Sequence, residues 1–172
     1  MSGTLNISTS AALIAASAGA FVAKHGNRSI SSKSGSADML EKLGIKITSE
    51  KNELERSLNI HNFCFLFAQF HHSAMKHVIN VRKQLATKTS FNLLGPLTNP
   101  ASTKRQLLGV FDKHWVRTHC EVLKELGSKH AMVVHGEDGL DEISLCGTTY
   151  IAELKDNKIT EYHFDPKDYG YE

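Results

Sequence analysis

The chain has 172 residues, with 20 Lys and Arg against 18 Asp and Glu, a formal charge of +2 with His neutral, and 41% hydrophobic residues. That length suits one domain with a core of its own, and the apolar content excludes a disordered chain. The near balance of charge argues against a protein that coats a polyanion. The longest apolar stretch, Ala11–Ala23, is broken by Ser17 and Gly19 and is too short to span a bilayer. Lys24 follows that stretch instead of preceding it, the reverse of a secretory leader. Cys64, Cys120 and Cys146 are widely spaced and read as reduced core thiols of a cytoplasmic protein.

In chain order, the run from Asn6 to Ser10 supplies cap residues before the alanine-rich stretch Ala11–Ala18, so a helix starts there and closes at Gly19. Phe21–Ala23 reads as a short strand, leading into a serine-rich loop from His25 to Gly35. Ser36 is placed to cap a helix over Ala37–Leu43 that stops at Gly44. Ile45–Ile47 is a brief strand or extended link, Lys51–Leu58 a helix and Phe63–Phe67 a strand. Ser73 begins a helix through about Leu85, with Met75, Val78, Val81 and Leu85 on one face. Gly95-Pro96 and Asn99-Pro100 mark turns. Leu107–Phe111 reads as a buried strand, Trp115–Leu126 as a helix, Ala131–Val134 as a strand and His135–Glu142 as an acidic loop. Thr148–Leu154 and Ile159–Phe164 form a hairpin across Lys155–Lys158. The alternation predicts a layered α/β/α domain, with a mostly parallel central sheet and an antiparallel edge hairpin.

Four groups could carry chemistry. Asn6–Ser10 and the segment from Lys24 to Ser36 each open a helix, and ligands of α/β sheets bind beyond strand carboxyl ends, where helix amides are unpaired. Gly26 permits a positive φ and close backbone approach, and Lys24 and Arg28 add charge, so the pattern suits a phosphate or pyrophosphate. It equally fits an ordinary serine-rich turn. The acids Glu137, Asp138, Asp141 and Glu142 follow a strand, and the adjacent pair Asp141-Glu142 could hold Mg²⁺ brought by a phosphorylated substrate. A solvated acidic turn is the alternative. His71, His72 and His77 match no metal spacing and read as packing and surface residues, whereas His25 stands among Lys24, Gly26 and Asn27. Arg82, on a basic helix face with Lys76 and Lys83, is a candidate fork for a carboxylate. Nothing marks a covalent nucleophile: there is no G-x-S-x-G turn and no cysteine in a reactive setting.

The run Lys24-His25-Gly26-Asn27-Arg28-Ser29, continued by Ser31-Ser32-Lys33-Ser34-Gly35-Ser36-Ala37-Asp38, resembles anthranilate phosphoribosyltransferase, of the nucleoside phosphorylase-like phosphoribosyltransferase class. The resemblance extends through Val81-Arg82-Lys83, Phe91 to Pro100, Gln106 to Phe111, Val134-His135-Gly136 and Gly139 to Ser144, and so covers essentially the whole chain. It implies transfer of the phosphoribosyl group of phosphoribosyl pyrophosphate to anthranilate in tryptophan biosynthesis, with Mg²⁺ and with pyrophosphate leaving. Carried over by position, Thr4, Asn6, Ile7, Ser8, Thr9, Lys24, His25, Gly26, Asn27, Arg28, Ser29, Ile30, Ser31, Ser32 and Ser36 would hold phosphoribosyl pyrophosphate. His25, Asn27 and Arg82 would hold anthranilate, and Ser8, Asp141 and Glu142 would bind Mg²⁺.

Departures from the family pattern accompany the resemblance. Met1-Ser2-Gly3-Thr4 stands where the family has a glycine-rich pyrophosphate loop, and Ala86 and Lys88 replace the usual Gly and Arg. The N-terminal helical domain that makes the family's homodimer contact is not in this sequence, which also ends before the family's last elements. The resemblance therefore implies a partial catalytic α/β domain over residues 1–172 with little or no activity by itself. No membrane partner is expected. A paralogue or truncated pseudoenzyme that has lost catalysis and binds nucleic acid or another partner is the alternative, disfavoured by the near-neutral charge and by the intact Asp141-Glu142 pair.

Overall fold

In the computed structural model, which describes residues 6–28, 35–72, 84 and 89–171, Asn6 opens the first helix, α1 (Ile7–Ser17). Its Oδ1 accepts the Thr9 N–H at 3.1 Å, the side-chain cap that the cluster of Asn, Ser and Thr predicts. The predicted helix from Ser73, with Arg82 on it, lies outside the described residues, as do Thr4, Ser29, Ile30, Ser31, Ser32, Ala86 and Lys88. The chain divides into two compact units, Met1–Asn92 with Asn99–Ala101, and Leu93–Thr98 with Ser102–Glu172.

In the first unit, β1 (Val22–Gly26) pairs in parallel with β2 (Phe63–Phe67), in a register that sets Val22 against Phe63 and Gly26 against Phe67. Every residue of β2 is buried, as a strand covered on both faces requires. Phe63, Phe65 and Phe67 build the core with Ala16 of α1 and with Ala37 and Leu40 of α2 (Ser36–Lys42). Gly35, not Ser36, is the residue before α2; its N–H donates to Asp38 Oδ2 at 2.9 Å, so an acid inside the helix does what the serine was expected to do. Ile45–Ile47 forms no strand, because Ile45 turns back onto α2 with its N–H on the Leu40 carbonyl, and both isoleucines pack on the core. Helix α3 (Lys51–His61) runs beyond the predicted Leu58 and ends at Asn62, whose φ of 55° takes the left-handed position that stops a helix. A single turn, α4 (Ala68–His71), follows β2 directly.

The second unit contains a four-stranded sheet in the order β3 (Arg105–Gly109), β4 (His130–Gly136), β5 (Thr149–Lys155), β6 (Lys158–Phe164). It is reached through α5 (Ser90–Leu94) and a 3₁₀ turn at Gly95–Leu97. Strands β3 and β4 are parallel, and β4, β5 and β6 form an antiparallel meander. The expected class, mixed α/β with parallel strands and an antiparallel hairpin, is what the chain adopts; within it, β5 extends the antiparallel part into the middle of the sheet. Helix α6 (His114–Glu125) lays Val116, Cys120 and Leu123 on Leu108, Ala131, Val133, Ala152 and Leu154. The hairpin turns through Asp156 and Asn157, both at positive φ (49° and 62°), the mirror-image turn that matches strand twist.

Two expectations need correction here. The strand around Leu107 is not buried: it spans Arg105–Gly109, Leu107 is 60% exposed and Leu108 is buried. Because α6 packs on the Leu108 side, an apolar run that looked two-sided is one-sided. Cys64 and Cys120 are core thiols, but Cys146 is exposed.

Candidate active site

In the first unit, polar groups gather at the carboxyl end of β1. Lys24 Nζ donates to Ser8 Oγ of α1 at 3.1 Å, tying the strand to the first turn of that helix. Thr9, one residue on, is fully buried, and its hydroxyl has no partner among the described residues. His25 Nε2 stands 3.2 Å from His72 Nε2, with the rings edge to face at 5.1 Å, so one ring nitrogen donates and the other accepts across this contact. Asn27 Oδ1 accepts two hydrogen bonds, from the Arg28 N–H at 2.8 Å and from Gln69 Nε2 at 3.1 Å. That leaves the Asn27 amide nitrogen to donate elsewhere. Next to this group, burial pushes the His71 imidazole pKa below its ordinary value, with His72 adding to the effect.

Two residues behave differently from the sequence expectation. Gly26 does not adopt a positive φ; it is needed for space, since a Cβ there would lie 2.9 Å from the Phe65 ring and 3.1 Å from Ser36 Cβ. Arg28 is committed to α2. Its guanidinium grips Glu41 with two bonds of 2.6 Å, reaches Asp38 at 3.2 Å and lies 5.6 Å from the centre of the Phe67 ring. The Glu41 hydrogen bonds raise the Arg28 pKa, and Arg28 in turn holds the Glu41 carboxyl below its usual range.

In the second unit, β4 runs through His135 and Gly136, so the acidic loop begins at Glu137. His135 is buried and its Nδ1–H donates to the Val110 carbonyl at 2.8 Å. Of the four acids, Asp138, itself exposed, is engaged within the loop: Oδ1 accepts the Leu140 N–H at 3.1 Å and Oδ2 accepts the Ser144 hydroxyl at 2.5 Å. Asp141 is exposed and Glu142 half-buried. Among the described residues no three His, Cys, Asp or Glu side chains converge as a metal site. Two adjacent hard oxygen donors at a strand end suit Mg²⁺, which takes one or two carboxylates and completes its shell with phosphate oxygens and water.

Sequence reasoning missed Gln69, His72 and the bracing contacts of Asp138. Gln69 and His72 follow β2, and parallel pairing brings the carboxyl ends of β1 and β2 together. The tandem of β1- and β2-like runs, each followed by polar residues, is the signal that could have pointed to them.

A family model described as "Glycosyl transferase family, a/b domain" matches residues 1–172. The chain belongs to this glycosyl transferase family. Among curated relatives, the family member is similar to anthranilate phosphoribosyltransferase of Marinomonas sp., 56% identical over 165 residues that make up 96% of this chain and 48% of that protein. The protein of the same name from Halorhodospira halophila is 54% identical over 168 residues, 98% of this chain and 49% of the relative. The transferase chain thus spans about half the length of the curated relatives it matches. Among solved structures, anthranilate phosphoribosyltransferase from Thermus thermophilus matches with a TM-score of 0.86 at 44% identity, covering 97% of this chain and 49% of that one. The Saccharomyces cerevisiae enzyme in complex with PRPP and Mg matches with a TM-score of 0.81 at 31% identity, over 98% of this chain and 46% of that one.

Proposed function

We propose that this chain carries α/β machinery of an anthranilate phosphoribosyltransferase. In this reading the amine of anthranilate attacks C1 of phosphoribosyl pyrophosphate, and pyrophosphate departs. The observation that carries the reading is the polar cluster at the end of β1: Lys24 Nζ on Ser8 Oγ at 3.1 Å, beside an Asn27 amide whose oxygen is already occupied. Cationic and N–H donors are thus held in place at one strand end, as an anion requires.

The phosphoribosyl pyrophosphate residues are Asn6, Ile7, Ser8, Lys24, His25, Gly26, Asn27 and Ser36, joined by Thr4, Ser29, Ile30, Ser31 and Ser32. Arg28 joins them through the guanidinium N–H groups not spent on Glu41 and Asp38, and Thr9, whose N–H is held by Asn6, joins them by supporting the turn that presents Ser8. Negative charge grows on the departing pyrophosphate, and preorganised donors such as Lys24 stabilise it without rearranging. Asp141 and Glu142 would hold Mg²⁺, and Ser8 is a further oxygen donor for that ion that the resemblance carries over. When bound, that ion supplies charge neutralisation at the pyrophosphate oxygens. Arg82, Asn27 and His25 orient anthranilate, and holding a weak aromatic amine in line with C1 supplies the proximity contribution. Direct displacement also accords with the thiols: burial pushes Cys64 up and Cys120 up to about 11, so neither is a ready nucleophile. No helix among the described residues is long and apolar enough to cross a membrane, and we place the protein in the cytoplasm, with free cysteines in support.

The test is a calorimetric titration of phosphoribosyl pyrophosphate with and without Mg²⁺, and of a single-stranded oligonucleotide, on one sample of the chain. The expected result is Mg²⁺-dependent binding that weakens by about 10-fold or more in Lys24→Met and in the pair Asp141→Asn with Glu142→Gln, with unchanged circular dichroism. Oligonucleotide binding without phosphoribosyl pyrophosphate binding would overturn the proposal in favour of a nucleic-acid role.

A further inference from the structure

Asp141 and Glu142 sit at the centre of a braced loop. On the amino side, Asp138 folds back onto the loop, and its carboxylate takes the Leu140 N–H at 3.1 Å and the Ser144 hydroxyl at 2.5 Å. On the carboxyl side, the same Ser144 hydroxyl accepts the Cys146 N–H at 2.9 Å, and the Ser144 N–H donates to Thr149 Oγ1 of β5 at 3.0 Å. Ser144 is 2% exposed and Thr149 is fully buried, so the bond between them forms out of water's reach and is costly to lose, while Asp138 reaches Ser144 from an exposed position. The backbone is braced as well: the Gly136 N–H donates to the Leu140 carbonyl at 2.8 Å, and the Glu137 N–H to the Thr148 carbonyl at 2.8 Å.

Glycine makes the remaining contact possible. A Cβ on Gly109 of β3 would fall on the carbonyl oxygen of Asp141. The loop therefore rests directly on a neighbouring strand at the residue that carries one of the two adjacent carboxylates. Two adjacent acids repel each other, and a mobile loop would let them separate. This one is tied to β4 by the Leu140 carbonyl, rests on β3 at Asp141 and is held to β5 at Ser144.

We propose that Asp138 and Ser144 are positioning residues for Asp141 and Glu142, holding the two carboxylates in the geometry that receives a metal-bound pyrophosphate. The proposal rests on the transferase reading above. It assigns Asp138 a role different from that of its acidic neighbours: both its oxygens are engaged within the loop, so it acts through Ser144 and not on the metal. The distinction is chemically testable. Asparagine at 138 keeps an acceptor for the Leu140 N–H and can donate its NH₂ to Ser144 Oγ. It therefore preserves the brace while removing the charge, whereas alanine removes both.

Mn²⁺ with phosphoribosyl pyrophosphate is titrated against the chain by water-proton relaxation, and amide hydrogen exchange is followed in the same variants without ligand. Asp138→Ala and Ser144→Ala are expected to weaken Mn²⁺ binding by about 10-fold or more, in the range for outer partners of metal ligands. They also speed exchange at Leu140 and Cys146 by about 10-fold, while β4 and β5 stay protected. Asp138→Asn stays near the unaltered chain in both measurements. Asp141→Asn loses metal affinity with exchange unchanged. If Asp138→Asn is as weak as Asp138→Ala, the residue is a ligand and the proposal fails. It also fails if exchange accelerates while Mn²⁺ affinity holds, or if exchange does not change. Absence of Mn²⁺ binding by the unaltered chain would instead refute the transferase reading, and the metal role of the brace with it.

Discussion

Replacing Gly26 by alanine adds one methyl group at the end of β1, between the Phe65 ring and Ser36. The new Cβ would lie 2.9 Å from Phe65 Cε2 and 3.1 Å from Ser36 Cβ, where ordinary contacts begin at 3.4 Å, so the ring must retreat by roughly 0.5 Å. Phe65 cannot swing outward, because it is 5% exposed and packed in one cluster with Phe63, Phe67 and Leu40. Overpacking of this kind costs about 1–3 kcal/mol. Against it stands a gain of about 0.4–1 kcal/mol from restricting the unfolded chain, available because the Gly26 backbone is not left-handed. The crowding wins by about 1–2 kcal/mol, which multiplies the unfolded fraction by about 5–30. Urea unfolding followed by far-ultraviolet circular dichroism reads the change as a midpoint lower by about 0.5–1 M, taking a slope of about 2 kcal/mol/M. Gly95→Ala is the control, since nothing lies within 4 Å of a Cβ there, and its midpoint should not fall. A Gly26→Ala midpoint equal to or above that of the unaltered chain would refute the steric reasoning.

Two other outcomes follow from the second unit and the thiols. Glu153 accepts a hydrogen bond from His130 at 2.7 Å, which with the Tyr162 hydroxyl at 3.0 Å holds its carboxyl below the usual range. A depressed carboxylate adds stability that is complete above its unfolded pKa, near 4.5, and is lost as pH falls through the lower folded value. Glu153→Gln should therefore flatten the acid limb of a thermal-stability profile below that pH and leave its shape above it unchanged; an unaltered acid limb would contradict this. In the native chain a thiol reagent should modify exposed Cys146 and spare Cys64 and Cys120 until denaturant is added, a result read by peptide mass. Labelling of Cys120 at the rate of Cys146 would show that its burial is misjudged.

Much of this arrangement is legible in the residues. Phe63–Phe67 has the strand boundaries predicted for it, because an apolar run between Asn62 and a helical turn leaves little choice. Asn27 and Arg28 follow β1 and the acidic pair follows β4, so both groups come after strand carboxyl ends, as the order of elements predicts. What the chain does not display locally is partnership. His72 meets His25 because β1 and β2 pair in parallel, and nothing near residue 72 announces a contact 47 positions earlier. Leu107 looks like core until α6 is seen to cover the other side of β3. Likewise, four acids in six residues look alike on paper. Only the hydroxyl of Ser144, a residue whose N–H is fixed on Thr149, selects Asp138 to bond within the loop.

Strand β1 also constrains spacing. Consecutive residues of a strand project to opposite sides; Lys24 goes to Ser8 on α1 and His25 to His72 beyond β2. The strand thus works as a partition that sorts an ammonium group and an imidazole into separate neighbourhoods. Deleting one residue from Phe21–Ala23 would leave both side chains in the protein and send each to the other's address. The interval between Gly19 and Lys24 is consequently as much a part of the chemistry as the residues that perform it.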